Sequence, residues 1–250
     1  LAEFVYLFNF SGVEVKYSYG KSSVNTPVYE RLEVNNHTVV NIDRRNSGIT
    51  SFALGGTESL KNDLSSSPIS ALKYVNSNAL LDDSLESNSF KQLIAFVKGM
   101  VFFRTLNKRS EHHGVEVEAK RISKEIINAD KLGDFEQFLN DAGVECRLVK
   151  IGATGDEKIA FVFDGKHIEF SQVASSGTLS LGIFYFWWLK LNNGELTFAY
   201  IDEFDAFYHH KLSKMIVKKL SQLQCQTILT THNTSIMSND LLRPDCYFEV

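Results

Sequence analysis

The chain has 250 residues, 44% hydrophobic and 22% charged, with a net charge of −4, a balance suited to a globular protein with a substantial core and a second lobe. That charge gives no overall basic field for nucleic acid, and the most apolar run, 179–191, is too short for a membrane helix of about 20 residues. Cys146, Cys225 and Cys246 lie far apart without a Cys-x-x-Cys, which fits reduced thiols in a cytoplasmic protein.

Residues 3–54 alternate apolar and polar side chains, with Gly and Asn-Asn between the runs, which predicts antiparallel hairpins with one wet face. Residues 55–67 form a polar loop, and Ser67-Pro68 predicts a helix start. From 68 to 143 no strand is expected: 90–103 and 117–129 carry helical spacing, 107–114 is an exposed turn, and 134–143 is a short helix closed by Gly143. Strands resume at 145–152, 158–164 and 167–172. They are followed by helix 178–192, strand 196–202, helix 207–222, strand 226–231 and strand 246–250. Strands alternating with helices predict a parallel sheet covered by helices. The expected division is thus 1–54 (antiparallel β), 55–143 (loop and helical insertion) and 144–250 (α/β core). The chain begins at Leu1 inside a strand-like run and stops in another, so residues are expected to be missing at both ends.

Asp202 and Glu203 follow the apolar run "LTFAYI". Ligands of parallel sheets sit beyond the carboxyl ends of strands. One acid there can hold Mg²⁺ through hard oxygens, and a second can take a proton from water. Ser175, Ser176, Gly177 and Thr178 open a helix whose first turn offers unpaired N–H groups to a phosphate. His232 stands just past the next apolar run, where it can hydrogen-bond a phosphate or a water. Each also fits a plainer role: a solvated strand end, an ordinary helix cap, a satisfied polar histidine. His112-His113 and His209-His210 are adjacent pairs that on a helix point about 100° apart and seldom chelate one ion. The stripe Phe184, Phe186, Trp187 and Trp188 reads as core, and Lys108, Arg109, Lys120 and Arg121 read as solvated charges.

The combination is more specific. Asp202 follows Gly177 by 25 residues, and His232 follows Glu203 by 29. This order resembles the C-terminal half of an ABC-type ATPase head: signature motif, Walker B, D-loop, switch histidine. The wording is most similar to the ABC-like AAA family ATPases related to the overcoming-lysogenization-defect nucleases and to SMC-type DNA-repair ATPases, many of whose relatives sit in anti-phage systems. "SSGT", "IDEFDAFYH", "ILTTHNTSIM" and "LLRPDCYFEV" carry the resemblance, which covers 172–250 well and 1–54 loosely.

The resemblance implies an α/β ABC-ATPase-like head with a parallel core sheet, an antiparallel N-terminal β region and a helical insertion. It implies ATP and Mg²⁺ as cofactors, with Asp202 organising the ion, Glu203 polarising the attacking water and His232 sensing the γ-phosphate. Ser175, Ser176, Gly177 and Thr178 would reach ATP held by a second subunit in a head-to-head dimer, and Asp205 would contact that partner. His209 matches a family histidine to which no role is assigned. Hydrolysis would control a partner or effector such as a nuclease, in anti-phage defence or DNA maintenance; the link to nucleic acid rests on the family alone. No GxxxxGK[ST] loop occurs in the 250 residues. In the family that loop precedes the region that starts here, so an upstream segment is expected to carry it; otherwise the chain does not bind ATP in the ordinary way. Two alternatives remain open: a non-hydrolysing nucleotide-dependent scaffold, and a metal-dependent nuclease using Asp202, Glu203 and Asp205.

Overall fold

In the computed structural model, residues 1–23, 26–45, 49–60, 64, 67–104, 112–114 and 122–249 are described. The chain divides into two units, Leu1–Val97 and Lys98–Val250. Lys108, Arg109, Lys120 and Arg121 lie outside the described residues.

In the first unit, alternating side chains form a five-stranded antiparallel meander: β1 (Ala2–Phe10), β2 (Val13–Ser23), β3 (Thr26–Val34), β4 (His37–Asp43) and β5 (Ile49–Phe52). Two tight turns fix its register. Ser11-Gly12 and Asn35-Asn36 both adopt positive φ, the backbone that two-residue hairpins require. One face carries Val15, Leu32, Val34, Val40 and Ile42. It is buried with Ala71, Leu72 and Val75 of α1 (Ala71–Asn78) and with Phe90 and Leu93 of α2 (Leu85–Lys98).

The expected helix start at Ser67-Pro68 is three residues early: α1 begins at Ala71, after Ser70. The reason lies in a buried acid. Glu30, 1% exposed, accepts hydrogen bonds from the Ala71 amide (2.8 Å), the Ser70 hydroxyl (2.6 Å) and the Tyr17 phenol (3.0 Å). Ser70 thus gives its hydroxyl to Glu30, and a carboxylate from β3 satisfies the first free amide of the helix, where negative charge is favoured. Arg44 lies 3.5 Å from Glu30 and donates to the carbonyls of Ser67, Pro27 and Ile69. Burial and the Glu30 charge push the Tyr17 phenol well above its usual range.

In the second unit, β6 (Met100–Arg104), β11 (Phe198–Asp202) and β12 (Gln226–Leu229) run parallel, with β7 (His112–Gly114) antiparallel at one edge, in the order β12-β11-β6-β7. A second sheet, β10-β9-β8, is antiparallel, built from β8 (Leu148–Ile151), β9 (Lys158–Phe163) and β10 (Lys166–Glu169). The helices are α3 (Ile122–Asn128), α4 (Leu132–Asp141), α5 (Phe170–Val173), α6 (Ser176–Asn192) and α7 (His210–Leu220). The fold is α/β, with a parallel core sheet and an antiparallel N-terminal β region. Helices of the stretch 55–143 are shared between the units: α1 and α2 pack in the first, α3 and α4 in the second.

The apolar run expected to be a buried helix is α6. It is apolar on every side, as a helix enclosed by protein must be: Leu181, Phe184, Tyr185, Phe186, Trp187, Leu189 and Leu191 are all buried. Phe103 of β6 stacks on Trp187 at 6.2 Å, and Phe135 and Phe138 of α4 meet Tyr185 and Phe184. Trp188 is partly buried and lies under the Lys219 ammonium at 5.0 Å.

Three expectations need correction. Residues 90–103 are not one helix: α2 ends at Lys98, and "MVFFR" enters the central sheet as β6. Gly99 makes the break. A Cβ there would lie 2.7 Å from the Thr197 hydroxyl, so glycine allows this close approach of the two segments. His112-His113 belong to β7 rather than to an exposed turn. The segment 246–250, expected as a strand, forms none over its described residues, 246–249: Cys246 closes a 3-10 turn, Pro244–Cys246, and 247–249 have no regular structure. Tyr247 folds it inward by donating its hydroxyl to the Ser238 carbonyl at 2.8 Å while accepting from the Ser238 amide at 3.1 Å.

Candidate functional site

Asp202 is the last residue of β11, at the carboxyl edge of the parallel sheet. Ala199 and Ile201 point into the core, and Tyr200 and Asp202 are half-buried. Strand β12 runs beside β11, pairing Ile201 with Leu229. The ladder continues past both ends: the Thr230 amide donates to the Ile201 carbonyl at 3.0 Å, and the Phe204 amide donates to the Thr230 carbonyl at 3.1 Å. The two strand ends therefore meet.

Their side chains pair one to one. Thr230 Oγ1 donates to Asp202 Oδ1 at 2.6 Å and accepts from the Glu203 amide at 2.8 Å. Thr231 Oγ1 donates to Asp205 Oδ1 at 2.6 Å and accepts from the Asn233 amide at 2.9 Å. His232 Nε2 stands 3.6 Å from Glu203 Oε1, with the imidazole 94% exposed and Glu203 27% exposed. Glu203 has a left-handed backbone, φ +50°, a conformation that costs a residue with a Cβ on the order of 1–3 kcal/mol and recurs at functional sites. The turn places Glu203 beside His232, while Asp202 is held by Thr230.

Among Ser175, Ser176, Gly177 and Thr178, Ser175 is the N-cap of α6. Its hydroxyl accepts from the Thr178 amide at 3.1 Å and bonds the Thr178 hydroxyl at 2.9 Å. Gly177 does not need to be glycine for its own fold: a Cβ there would meet nothing closer than the Phe207 carbonyl at 3.7 Å. This helix start joins the acid-bearing turn through the far side of the turn. Ser180 Oγ and the Tyr208 hydroxyl lie 2.9 Å apart. Burial pushes the Tyr208 phenol up, and the Ser180 bond partly offsets this.

The two histidines at 209–210 diverge. His209 caps α7, its Nδ1 accepting from the Leu212 amide, and His210 Nδ1 lies 2.7 Å from Ser235 Oγ. Thr230, Thr231, Ser180 and Tyr208 were not singled out in the sequence. The one signal for the first two was their place between an apolar strand run and a histidine.

The donor set fits Mg²⁺ as nucleotide enzymes hold it, with one or two carboxylates and the remaining positions filled by phosphate and water. Asp202 is a half-buried hard-oxygen donor at the strand end. Among the described residues no three His, Cys, Asp or Glu side chains converge into a cage. No helix among them is long and apolar enough to cross a membrane.

A family model described as "AAA domain, putative AbiEii toxin, Type IV TA system" matches residues 4–238. Solved structures similar in outline include the SMC head domain from Thermotoga maritima, with 12% identity, a TM-score of 0.39, and coverage of 92% of this chain and 64% of that one. The SmcHead bound to the C-winged helix domain of ScpA gives 14% identity, a TM-score of 0.41, and coverage of 95% and 68%. The chain thus spans about two-thirds of the length of these heads. No curated protein matches. With that family model covering residues 4–238, nearly the whole chain, the chain belongs to this AAA-domain family.

Proposed function

We propose that this chain is the ATPase head of a cytoplasmic protein that binds ATP with Mg²⁺, hydrolyses it, and works as a head-to-head dimer controlling a partner or an effector such as a nuclease. Anti-phage defence or DNA maintenance is the proposed setting. The observation that carries the reading is the one-to-one pairing of Thr230, Thr231 and His232 with Asp202, Asp205 and Glu203. Mg²⁺ bound with ATP supplies charge neutralisation at the phosphates. Asp202 holds the ion, and Glu203 orients a water and accepts its proton. His232, exposed and 3.6 Å from Glu203, hydrogen-bonds the γ-phosphate. Ser175, Ser176, Gly177 and Thr178 offer backbone and hydroxyl donors to ATP on the opposite head, and Asp205 sits in the loop that meets that head.

The nuclease alternative is disfavoured because, among the described residues, no three His, Cys, Asp or Glu side chains converge on one ion. The test is phosphate release from ATP by the full-length protein with and without Mg²⁺. Nucleotide binding without release would leave the scaffold reading, and absence of binding would overturn both.

A further inference from the structure

We infer that Thr230 is a positioning residue: its one hydroxyl fixes the Asp202 carboxylate and the left-handed turn at Glu203 together, so that the ion ligand and the general base keep their relative placement. The functional half of this inference rests on the ATPase reading above.

Thr230 is held from behind, because its amide and carbonyl extend the β11–β12 ladder. Its position is therefore set by the sheet and not by the loop it serves. From there Oγ1 uses its single proton on Asp202 Oδ1 (2.6 Å) and a lone pair on the Glu203 amide (2.8 Å). A hydroxyl can do both at once; a methyl can do neither. The Glu203 amide belongs to the residue with φ +50°. The Thr230 side chain and carbonyl together receive the amides of Glu203 and Phe204, and these two bonds hold the turn.

The same bond orients Asp202. With Oδ1 engaged, Asp202 has a fixed carboxylate plane. Groups that orient a metal ligand in this way typically matter 10–100-fold in metal affinity or activity. Thr230 acts through its two neighbours, Asp202 and Glu203.

The test uses the full-length protein with Thr230→Val, which keeps the β-branched shape and removes the hydroxyl, and Thr230→Ser, which keeps the hydroxyl. The first readout needs no nucleotide: amide hydrogen exchange in the metal-free, nucleotide-free protein. The Glu203 amide should exchange roughly 10-fold or more faster in Thr230→Val and at about the wild-type rate in Thr230→Ser, with the amides of β11 and β12 unchanged. The second readout is the Mg²⁺ concentration for half-maximal ATP turnover. It should rise, or turnover fall, by about 10–100-fold in Thr230→Val, with recovery in Thr230→Ser. If Thr230→Val does not fold, Thr230→Ala carries the same two readouts.

Unchanged exchange at Glu203 overturns the clamp. Faster exchange with wild-type Mg²⁺ dependence overturns the positioning role and leaves the ATPase reading standing. A wild type that releases no phosphate overturns the ATPase reading and this role with it, and it is recognisable because the wild type itself fails.

Discussion

Ser180 and Tyr208 share a hydrogen bond of 2.9 Å, joining the second turn of α6 to the loop that carries Asp205. The bond links the two parts of the proposed site within one chain: the Ser-Gly-Thr helix start, proposed to face another subunit, and the acids, proposed to serve the chain's own nucleotide. Tyr208→Phe keeps the ring and removes the hydroxyl. Denaturant unfolding should show a loss of about 1 kcal/mol. The double variant with Ser180→Ala should be less destabilised than the sum of the two, because they remove the same bond. Additive losses would mean that the bond contributes nothing.

Gly177 gives a sharper separation of fold from function. Its Cβ position is open and its φ is not in the left-handed region. Gly177→Ala should therefore fold at least as stably, with a gain of up to about 1 kcal/mol from helix propensity. Gly177→Arg should also fold and bind nucleotide on a single head, yet abolish ATP-driven pairing, as measured by sedimentation. An arginine variant that pairs normally would remove the signature assignment.

The sequence made the two strand ends and α6 visible because each is a long apolar run ended by polar residues. The hairpins of the first unit were equally visible, since period two persists and Gly or Asn marks each turn. Strand β6 was not visible: Val101, Phe102 and Phe103 follow a helix with a single glycine between, and their apolar spacing continues the helical stripe. Only the Gly99–Thr197 approach, between residues far apart in sequence, breaks it. The start of α1 was hidden for the same reason, because its acid comes from Glu30, 41 residues upstream. At the site, Asp202, Glu203 and His232 stood out by residue type. Thr230 and Thr231 did not, because a threonine in a strand is ordinary until its hydroxyl is seen to have a carboxylate partner.

Glu30 also yields a stability prediction. Arg44, with 9% of its side chain exposed, depends on Glu30 for its charge partner, and the start of α1 depends on it for an acceptor. Glu30→Ala should destabilise the first unit by about 3–5 kcal/mol, the usual cost of leaving one partner of a buried ion pair alone. Calorimetry should show a low-temperature transition for that unit, and an unchanged melting profile would refute the network.

Alkaline pH should loosen the second unit. Burial raises Cys146 from 9.0 to about 11 and raises the phenols of Tyr185 and Tyr208 above their usual value. For a raised pKa, the folded state keeps a proton that the unfolded chain releases. Stability is therefore full below the unfolded pKa and falls as pH rises. The loss should begin near pH 9 through Cys146 and steepen above about pH 10 as the unfolded phenols ionise. Burial raises the Cys225 thiol as well, so Cys146→Ala should remove part of the early decline and the double variant with Cys225→Ala the rest of it. Unfolding free energies that stay level from pH 8 to about pH 11 would contradict the burial assigned to these groups.

The last prediction concerns the acids. Asp202 and Glu203 are adjacent in sequence but sit in different surroundings, since one is fixed by Thr230 and the other turns at φ +50° towards His232. Glu203→Gln keeps the size and the side-chain hydrogen bonding but cannot accept a proton from water. ATP turnover should fall by about 10²–10⁴, while ATP still binds and paired heads accumulate. Asp202→Asn removes a negative charge from the proposed ion site, so its main effect should be weaker Mg²⁺-dependent nucleotide binding. His232→Ala should slow turnover with a smaller effect on affinity, because the imidazole is 94% exposed and supports no packing. The three variants in the full-length protein, compared by phosphate release and by nucleotide affinity with and without Mg²⁺, give three distinct patterns. If Glu203→Gln hydrolyses ATP at the wild-type rate, Glu203 is only the polar end of a strand. If both acid variants lose affinity equally and neither loses turnover selectively, the unequal division of roles between the two carboxylates is wrong.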